Sequence, residues 1–269
     1  MSEWEAVMSD VTLYEHPLSS YAQKIKIALR EKGVDFKTLL PEGLGSGQPN
    51  PAFAALNPRL EVPVLVAGKD RIFESTIILE YIEDRWPEPA LLPEEPGERA
   101  FARMTEEVCD SQYEAVNWGF GEILWFKRAE GELAERMKAR AAEQTRTLQA
   151  WLASRLGTDH WFGGERFGWA DIAVAPIVNR SVYYGLGPEP GGSLAQWVGR
   201  VTQRPSVART FAEFDAAASA MVEVATIYAK GGRKREYRDH RLDWMLRSGG
   251  LEVVLTGLHD QTIRLSWPE

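Results

Sequence analysis

Two adjacent serines stand between a strand-like run and a helical one, at a place where a thiol can be activated. Ser19 and Ser20 follow the β-branched and aromatic run 11–14 and precede a helical stretch over 21–32. A helix N-terminus presents unpaired backbone N–H groups and a partial positive charge, which lower the pKa of a thiol held there. A serine hydroxyl at that end can also donate a hydrogen bond to a thiolate sulfur. Because serines are common helix caps, these residues predict either a thiol-binding site or an ordinary cap.

A second candidate site is the pair Val62 and Pro63 at the start of another strand-like run. Proline cannot donate a hydrogen bond to a neighbouring strand. If the bond between the two residues is cis, the turn exposes the backbone N–H and C=O of Val62 to the backbone of a ligand. An ordinary trans bond at a strand start is the alternative.

Glu74 and Ser75 form a third candidate site at a further junction between a strand and a helix. Backbone N–H groups at a helix N-terminus favour a carboxylate ligand, and Glu74 beside them can take an ammonium group. A site that accepts both groups suits the amino-acid end of a ligand. The alternative is an ordinary helix cap beside a solvated glutamate.

The elements that must position these sites fall into two regions joined by a proline-rich linker. The first region combines strand-like and helical runs, and the second is helical almost throughout. The linker is the stretch 86–97, which carries four prolines. Strands are predicted over 11–14, 36–40, 62–66 and 69–73, and helices over 21–32, 75–84, 98–118, 130–156, 171–184 and 193–203.

Composition excludes several classes of function. The chain has 269 residues, is 44% hydrophobic and carries a formal net charge of −8, so it predicts a globular protein that does not coat nucleic acid. Its one cysteine, Cys109, excludes an intrachain disulfide and a cysteine-based zinc site. The four histidines have no metal-ligand spacing, and we expect no metal. No secretory signal or membrane span is visible, so we expect a soluble, cytoplasmic protein.

The order and spacing of the three candidate sites resemble the thioredoxin-like domain of glutathione transferases. A hydroxyl precedes the first helix, a Val-Pro pair follows about 43 residues later, and a Glu-Ser pair about a dozen residues after that. The resemblance covers residues 11 to about 225 and includes 164–173, which is similar to the buried helix-capping segment of that family. It implies an α/β thioredoxin-like domain over 10–86 and an all-α domain over 97–228, followed by a C-terminal extension over 229–269.

The resemblance also implies roles for the candidate residues. In that family the Val-Pro bond is cis and binds the cysteinyl backbone of glutathione, which assigns this role to Val62 and Pro63. The Glu-Ser pair holds the γ-glutamyl end, which assigns that role to Glu74 and Ser75. Glutathione is then the cosubstrate.

The catalytic hydroxyl has more than one candidate. The resemblance puts Ser19 where serine-type members keep their catalytic serine, while Ser20, Tyr14 and Tyr21 remain competing donors, and His16 stands just before this site. The first helix lacks cysteine, which argues against thiol–disulfide exchange. Two positions depart from the family pattern: Gly168 stands where Ser or Thr is usual, and Leu60 where Gly is frequent.

Aromatic residues in the second region predict the pocket for the second substrate. Tyr113, Trp118 and Phe120 stand on the helix where the family builds its electrophile pocket, with Trp125 and Phe126 just beyond. Aromatic walls suit flat apolar substrates, although most of these residues also fit a packed core. Around 162–180 and 228–232 the sequence is loosely similar to bacterial glutathione lyases and etherases of aromatic breakdown.

We therefore expect a glutathione transferase that activates the glutathione thiol for attack on a hydrophobic, aromatic electrophile. The alternative is a glutathione-binding regulatory protein with little or no catalysis. The resemblance further implies a homodimer. We expect neither a nucleic acid nor a membrane as partner.

The C-terminal extension admits two interpretations. The segment 230–241 has six basic and two acidic residues, which suits an acidic partner, but the acidic residues interrupt it and the rest of the chain is acidic. The apolar residues spread over 244–267 are too many for a free tail. We therefore expect the extension to pack on the body, where it caps the substrate pocket or joins the dimer contact. The runs 251–255 and 262–267 predict two short strands.

Overall fold

The computed structural model describes residues 10–44, 50–223, 235–237 and 239–265. Its N-terminal part is a four-stranded sheet with the strand order β2-β1-β3-β4 and three helices. Strand β1 runs parallel to β2 and antiparallel to β3, and β4 is antiparallel to β3. These elements are β1 (Val11–Tyr14), α1 (Ser20–Glu31), β2 (Lys37–Leu39), α2 (Pro51–Ala54), β3 (Val64–Ala67), β4 (Asp70–Phe73) and α3 (Ser75–Arg85). The predicted order of four strands and two helices is confirmed, and the short helix α2 is an addition that was not predicted.

Strand register brings the three candidate sites to one edge of the sheet. Tyr14, the last residue of β1, pairs with Val64, the first residue of β3. Val64 pairs on its other side with Phe73, the last residue of β4. The segments that follow β1, precede β3 and follow β4 therefore leave the sheet at the same edge. These segments carry the serine pair, the Val-Pro pair and the Glu-Ser pair.

The C-terminal part is helical, and helix α7 lies in its core. The elements are α4 (Pro96–Val108), a π-helical turn (Cys109–Tyr113), α5 (Glu114–Leu124), α6 (Gly131–Leu156), α7 (Trp169–Tyr183), α8 (Ser193–Val201), α9 (Pro205–Ser219) and a 3-10 turn (Ala220–Glu223). Most residues of α7 are buried, and this helix packs on both α1 and α4. The all-α second domain is confirmed. Within the described ranges, no helix is long and apolar enough to cross a membrane.

Buried ion pairs join α1 to the helical domain. Lys24, 1% exposed, lies 2.5 Å from Glu106 and also contacts Asp110. Lys26, equally buried, contacts Glu213 at 2.8 Å. Each of these two buried lysines is paired with a carboxylate of the second domain. A buried charge requires such a partner. The spacing of apolar residues in α1 predicts its apolar face but not these lysine–carboxylate pairs.

Gly168 begins α7 without a side-chain cap, and Asp171 supplies the missing hydrogen bonds. The Asp171 carboxylate accepts bonds from the backbone N–H of Gly168 and Phe162, each at 3.1 Å, and from the Trp197 indole at 2.7 Å. Burial raises the pKa of Asp171 to about 6, and these three donors oppose the rise. Asp171 thus binds backbone N–H groups at this helix end without a capping Ser or Thr.

The described part of the extension adds α10 (Asp239–Arg247) and α11 (Leu251–His259) and pairs β5 (Arg235–Tyr237) with β6 (Ile263–Leu265). The prediction of a strand over 251–255 is wrong. Val253, Val254 and Gly257 are buried at helical spacing, so packing of one helix face overrides the β-type composition. The second predicted strand is present over Ile263–Leu265. The basic residues at 230–234 and 238 lie outside the described residues, as does Trp267.

Helix α10 packs on α5 and contacts α6 through its two buried residues, Trp244 and Met245. The Trp244 indole lies against Gly119, where an added Cβ would come within 2.2 Å of the ring, and its N–H donates to Gln144 at 2.5 Å. Met245 is fully buried beside it and packs on the same cluster as Met137. A glycine on α5 is therefore what admits the tryptophan of the extension.

Candidate functional site

A cleft of about 520 Å³ opens at the sheet edge where the three candidate sites meet. Val62, Pro63, Glu74 and Ser75 line it from the sheet domain. The opposite wall comes from the helical domain and includes Asp110. Two of the three sequence motifs are thus brought together on one surface.

The Val62–Pro63 peptide bond is cis, as the resemblance implies. A buried amide fixes the loop before it: the Asn57 side chain donates to the Glu61 carbonyl at 2.9 Å and accepts from the Arg59 N–H at 3.0 Å. This arrangement presents the backbone of Val62 to the cleft, where an extended peptide can pair with it.

Leu60 lies within this loop and has φ of 56°, in the left-handed region. Glycine adopts this conformation at little cost, whereas a residue with a Cβ does not. This backbone geometry explains why the position, occupied here by leucine, suits glycine in similar proteins.

Glu74 and Ser75 form the start of α3 at the edge of the cleft. Glu74 has φ of 69°, a conformation that few non-glycine residues adopt and that is found at functional sites. It directs the Glu74 carboxylate to within 3.3 Å of the Arg59 guanidinium. The N–H groups at the beginning of α3 can bind a carboxylate, and the Glu74 carboxylate can bind an ammonium group.

The two serines have different environments. Ser19 caps α1, and its Oγ accepts a hydrogen bond from the Ala22 N–H at 3.2 Å. Ser20 is 1% exposed, and its hydroxyl donates to the Glu114 carboxylate at 3.1 Å. Neither serine is part of the cleft surface, which Tyr21 forms at this end of α1.

The competing donors near the serines have protein partners. The Tyr21 hydroxyl donates to the Asp110 carbonyl at 2.7 Å, which ties α1 to the π-helical turn. The His16 Nδ1 accepts from the Leu18 N–H at 3.1 Å and so stabilises the turn before α1. The Tyr14 ring packs on Phe53 with a centroid distance of 5.8 Å. These contacts give Tyr21 and His16 structural roles in positioning the start of α1.

Sequence reasoning missed the wall of the cleft that the helical domain supplies. Glu107, Asp110, Ser111, Ala115 and Arg241 form this wall. Four of them lie on the α4 end, the π-helical turn and the start of α5, and a π-helical turn within a helix often marks a functional site. Arg241 comes from α10, about 126 positions after the last of the others, so local pattern could not place it here.

Asp110 is the acid of this wall whose ionisation is most perturbed. Burial raises its pKa to about 7; Lys24 opposes the rise, while Glu106 adds to it. Burial would lower the pKa of Lys24, but Asp110 and Glu106 outweigh it and keep the lysine charged. The cleft therefore contains a carboxyl group that titrates near neutral pH.

The structure places the predicted aromatic pocket residues away from the cleft surface. Tyr113 is fully buried in the main core, and its hydroxyl accepts from Gln149 at 2.8 Å. Phe120 packs on Tyr184 with a centroid distance of 5.2 Å. Trp118 lies one layer behind the cleft, with the Arg241 guanidinium 4.8 Å from its ring. These aromatic side chains pack against apolar residues of α6, α7 and the extension instead of lining the cleft.

Cys109 is not part of the cleft surface. It is completely buried, and burial together with the neighbouring Asp110 raises the pKa of its thiol well above the ordinary value. Among the residues with described positions, no cluster of three or more His, Cys, Asp or Glu could hold a metal ion.

Comparison with known proteins gives matches along most of the chain. The family described as "Glutathione S-transferase, N-terminal domain" matches residues 13–90, and "Glutathione S-transferase, C-terminal domain" matches 134–200. Glutathione S-transferase U28 of Arabidopsis thaliana is 31% identical over 231 residues, which cover 82% of this chain and 96% of that protein.

Solved structures agree with these matches. The tau class glutathione S-transferase MiGSTU from mango, Mangifera indica, superposes with a TM-score of 0.65 at 25% identity, covering 81% of this chain and 98% of that one. A glutathione S-transferase from Methylobacterium radiotolerans in complex with glutathione sulfonate gives a TM-score of 0.58 at 28% identity, covering 74% and 93%.

Proposed function

The chain belongs to the glutathione S-transferase family and is a glutathione transferase, and from this premise we propose that Ser19 activates the glutathione thiol for attack on a hydrophobic, aromatic electrophile. The thiolate sulfur forms a bond to an electrophilic carbon. In a substitution the leaving group then departs with the electron pair of the broken bond. Stabilisation of the thiolate and proximity of the two substrates supply the rate enhancement.

The hydrogen bonding of the two serines favours Ser19 as the donor. A hydroxyl has one hydrogen to donate and two lone pairs that accept. The Ser19 oxygen accepts from the Ala22 N–H, and within the described chain its hydrogen has no protein acceptor, so it can donate to a thiolate at the N-terminus of α1. The Ser20 hydrogen is already used by Glu114. This difference is the observation that carries the proposal.

The cleft supports an extended orientation of glutathione along the sheet edge. We propose that the cysteinyl backbone pairs with Val62 beside the cis Pro63. The γ-glutamyl carboxylate then meets Ser75 and the first N–H groups of α3, and its ammonium group meets Glu74. The negative Glu74 carboxylate and the partial positive charge at the start of α3 match the ammonium and carboxylate groups of an amino-acid terminus.

The pocket next to the cleft has polar residues, among them Arg140, Glu143 and Arg247, and an apolar part that supports a hydrophobic electrophile. This pocket has a volume of about 280 Å³ and is lined in part by Val116, Leu148 and Trp244. Ser111 and Ala115 belong to both the cleft and the pocket, so the two spaces adjoin. The support for an aromatic substrate thus comes from Trp244 rather than from Tyr113 or Phe120.

Paired serine variants test the catalytic assignment. We expect Ser19→Ala to lower kcat by about ten- to hundredfold, the usual cost of losing one donor to a developing anion, with a smaller effect on the KM for glutathione. The ultraviolet absorbance of the bound thiolate, followed against pH, should show a raised thiol pKa in this variant. Ser20→Ala should leave that thiol pKa unchanged. An unchanged thiol pKa and rate in Ser19→Ala would contradict the assignment.

A glutathione-binding protein with little catalysis is the second candidate function. The observation in its favour is that Ser19 does not form part of the cleft surface. Retention on immobilised glutathione without turnover of any of a panel of aromatic electrophiles would support this second candidate against the first.

We also propose a homodimer and a cytoplasmic location, the second of which rests on the sequence alone. Ile77 on α3 and Phe101 and Met104 on α4 are each about half exposed, and an Arg103–Glu80 ion pair holds the two helices together beside them. An exposed apolar patch of this kind suits a subunit contact. Sedimentation at micromolar concentration should give twice the mass of the 30.2 kDa chain, and less for Phe101→Glu. A single-chain mass for the unaltered protein would contradict the dimer.

A further inference from the structure

The C-terminal extension contributes a cation to the glutathione cleft. Arg241, in the first turn of α10, lines the cleft together with Ser111 and Ala115 of the helical domain. It is therefore present at the active-site cleft only because α10 folds back onto the body. Ser111 and Ala115 also line the adjoining pocket, so the cleft and the pocket share these two residues.

Packing holds the Arg241 side chain in place before any ligand binds. Its guanidinium lies over the Trp118 ring at 4.8 Å, a cation–π contact with a ring that is itself buried in α5. Three residues later on α10, Trp244 is fixed against Gly119 and hydrogen-bonded to Gln144. A guanidinium that is held over a buried ring, on a helix anchored by Trp244, loses little freedom when it binds an anion.

Arg59 and Lys24 are further basic groups near the described cleft, and both contact carboxylates of the protein. Arg59 lies 3.0 Å from Glu61 and 3.3 Å from Glu74. Lys24 lies beneath the wall and contacts Glu106 and Asp110. Arg241 stands on the helical-domain wall of the cleft with the acidic groups Glu107 and Asp110, while Arg140 and Arg247 line the adjoining pocket.

We propose that Arg241 selects electrophiles that carry a carboxylate, which its planar guanidinium binds while the apolar part of the molecule enters the pocket beside Trp244. The guanidinium matches a carboxylate through two parallel hydrogen bonds. Arg241 lines the cleft on the same wall as Ser111 and Ala115, which the cleft shares with the pocket, and this favours the electrophile as the source of the carboxylate. The α3 N-terminus, on the opposite wall, serves the γ-glutamyl carboxylate of glutathione. The inference rests on the proposed function, because it assumes that the pocket holds the second substrate.

A matched pair of substrates tests the proposal. A chloronitrobenzoate and its methyl ester differ in one negative charge, so the ratio of their kcat/KM values measures recognition of the carboxylate. We expect Arg241→Gln to lower the acid-to-ester ratio by about ten- to hundredfold, the range for losing hydrogen bonds to a charged group. Arg241→Lys should retain part of the preference. Arg136→Gln, which makes the same change of net charge on the exposed face of α6, should leave the ratio unchanged.

Binding measurements separate this proposal from the proposed function. Calorimetry compares the affinities of the two glutathione conjugates, acid and ester, for the full-length protein and for Arg241→Gln. If neither substrate is turned over, the proposed attack on an aromatic electrophile fails, and the binding ratio still tests Arg241. An equal acid-to-ester ratio in both proteins would overturn the proposal. So would an equal rise of the KM for glutathione with both substrates, because Arg241 would then bind a carboxylate of glutathione.

Discussion

Gly168 shows how a backbone contact can determine the type of a single residue. A Cβ at this position would lie 2.5 Å from the Leu91 carbonyl oxygen, which also accepts a hydrogen bond from the Trp169 N–H at 2.8 Å. The linker between the domains thus comes so close to the start of α7 that the usual capping Ser or Thr does not fit. The Asp171 carboxylate then binds the Gly168 N–H, and the Leu91 carbonyl binds the Trp169 N–H.

We therefore expect Gly168→Ser to destabilise the protein, although a capping serine ordinarily stabilises a helix by about 1 kcal/mol. The overlap with Leu91 should lower the free energy of unfolding by about 1–3 kcal/mol, as measured by thermal or denaturant unfolding. Gly168→Ala is the matched variant, because it adds the Cβ without a capping oxygen. A Gly168→Ser protein more stable than the unaltered chain would show that capping outweighs the contact.

At the residue scale, short motifs with their own local chemistry could be predicted from the sequence. Val62 and Pro63 stand at a strand start, and the structure has the cis bond that the resemblance implied. Asp110 and Arg241 could not be predicted, because each acts through residues distant in sequence. The pKa of Asp110 depends on its burial and on Lys24 of α1, and the position of Arg241 depends on how α10 packs.

At the element scale, helix α1 is joined to the π-helical turn by a charged contact that responds to pH. Asp110 faces Lys24 of α1, Glu106 of α4 and Glu114 of α5. Its pKa is raised from its ordinary value to about 7 in the folded state. Between these two values the folded protein binds more protons than the unfolded chain, so this group stabilises the fold at lower pH and its contribution is lost as pH rises through 7.

Asp110→Asn should remove this pH dependence. In the unaltered protein, we expect the Asp110 contribution to the free energy of unfolding to decrease by roughly 1–2 kcal/mol between about pH 5 and about pH 7. Urea unfolding at several pH values measures the slope, and the variant should have the flatter one. Residual slope is expected from Asp171 and Glu15, whose pKa values burial also raises. Identical slopes in the two proteins would contradict the raised pKa of Asp110.

The packing of α10 on α5 depends on one glycine, Gly119, which lies against the Trp244 ring. Glycine in a helix is ordinarily less favourable than alanine by about 1 kcal/mol, so Gly119→Ala would stabilise an isolated helix. Here the added methyl would meet the Trp244 ring, and we expect destabilisation by about 1–3 kcal/mol. Gly199→Ala on α8 is the control, since nothing lies within 4 Å of its added Cβ, and it should be neutral or stabilising.

A double-mutant cycle with Trp244→Ala locates this effect. Once the ring is removed, Gly119→Ala should no longer destabilise the protein, and the two substitutions should be strongly non-additive. Additive effects in thermal unfolding would mean that Gly119 acts on a different contact.

At this scale, predictions from hydrophobic period succeeded where an element packs on one apolar face. In the sheet domain, runs of β-type composition became strands, and runs with helical spacing of apolar residues became helices. The interpretation of 251–255 as a strand failed because β-type composition does not indicate which surface the segment packs against. Val253 and Val254 are buried with Met245 and Ile263 in a cluster that only the folded chain assembles.

At the scale of the whole molecule, the extension completes a second core rather than following the body as a free tail. Trp244, Met245, Val253, Val254 and Ile263 are buried in one cluster with apolar residues of α5 and α6. This cluster is separate from the main core, which α1, α7 and the sheet share. The cleft lies where these parts meet, so its shape depends on the extension as well as on the two domains.

Truncation after Lys230 should therefore lower both the melting temperature and the solubility. The deletion exposes apolar side chains of α5 and α6 that the extension covers, among them Val116 and Met137. It also removes Trp244, whose loss alone, as Trp244→Ala, should cost about 3–5 kcal/mol. Thermal unfolding and the concentration at which each protein aggregates measure these effects. Since the deletion also removes Arg241 from the cleft, the truncated protein should show the same loss of acid-to-ester preference as Arg241→Gln. Equal stability, solubility and substrate range in the truncated and full-length proteins would show that the extension is dispensable.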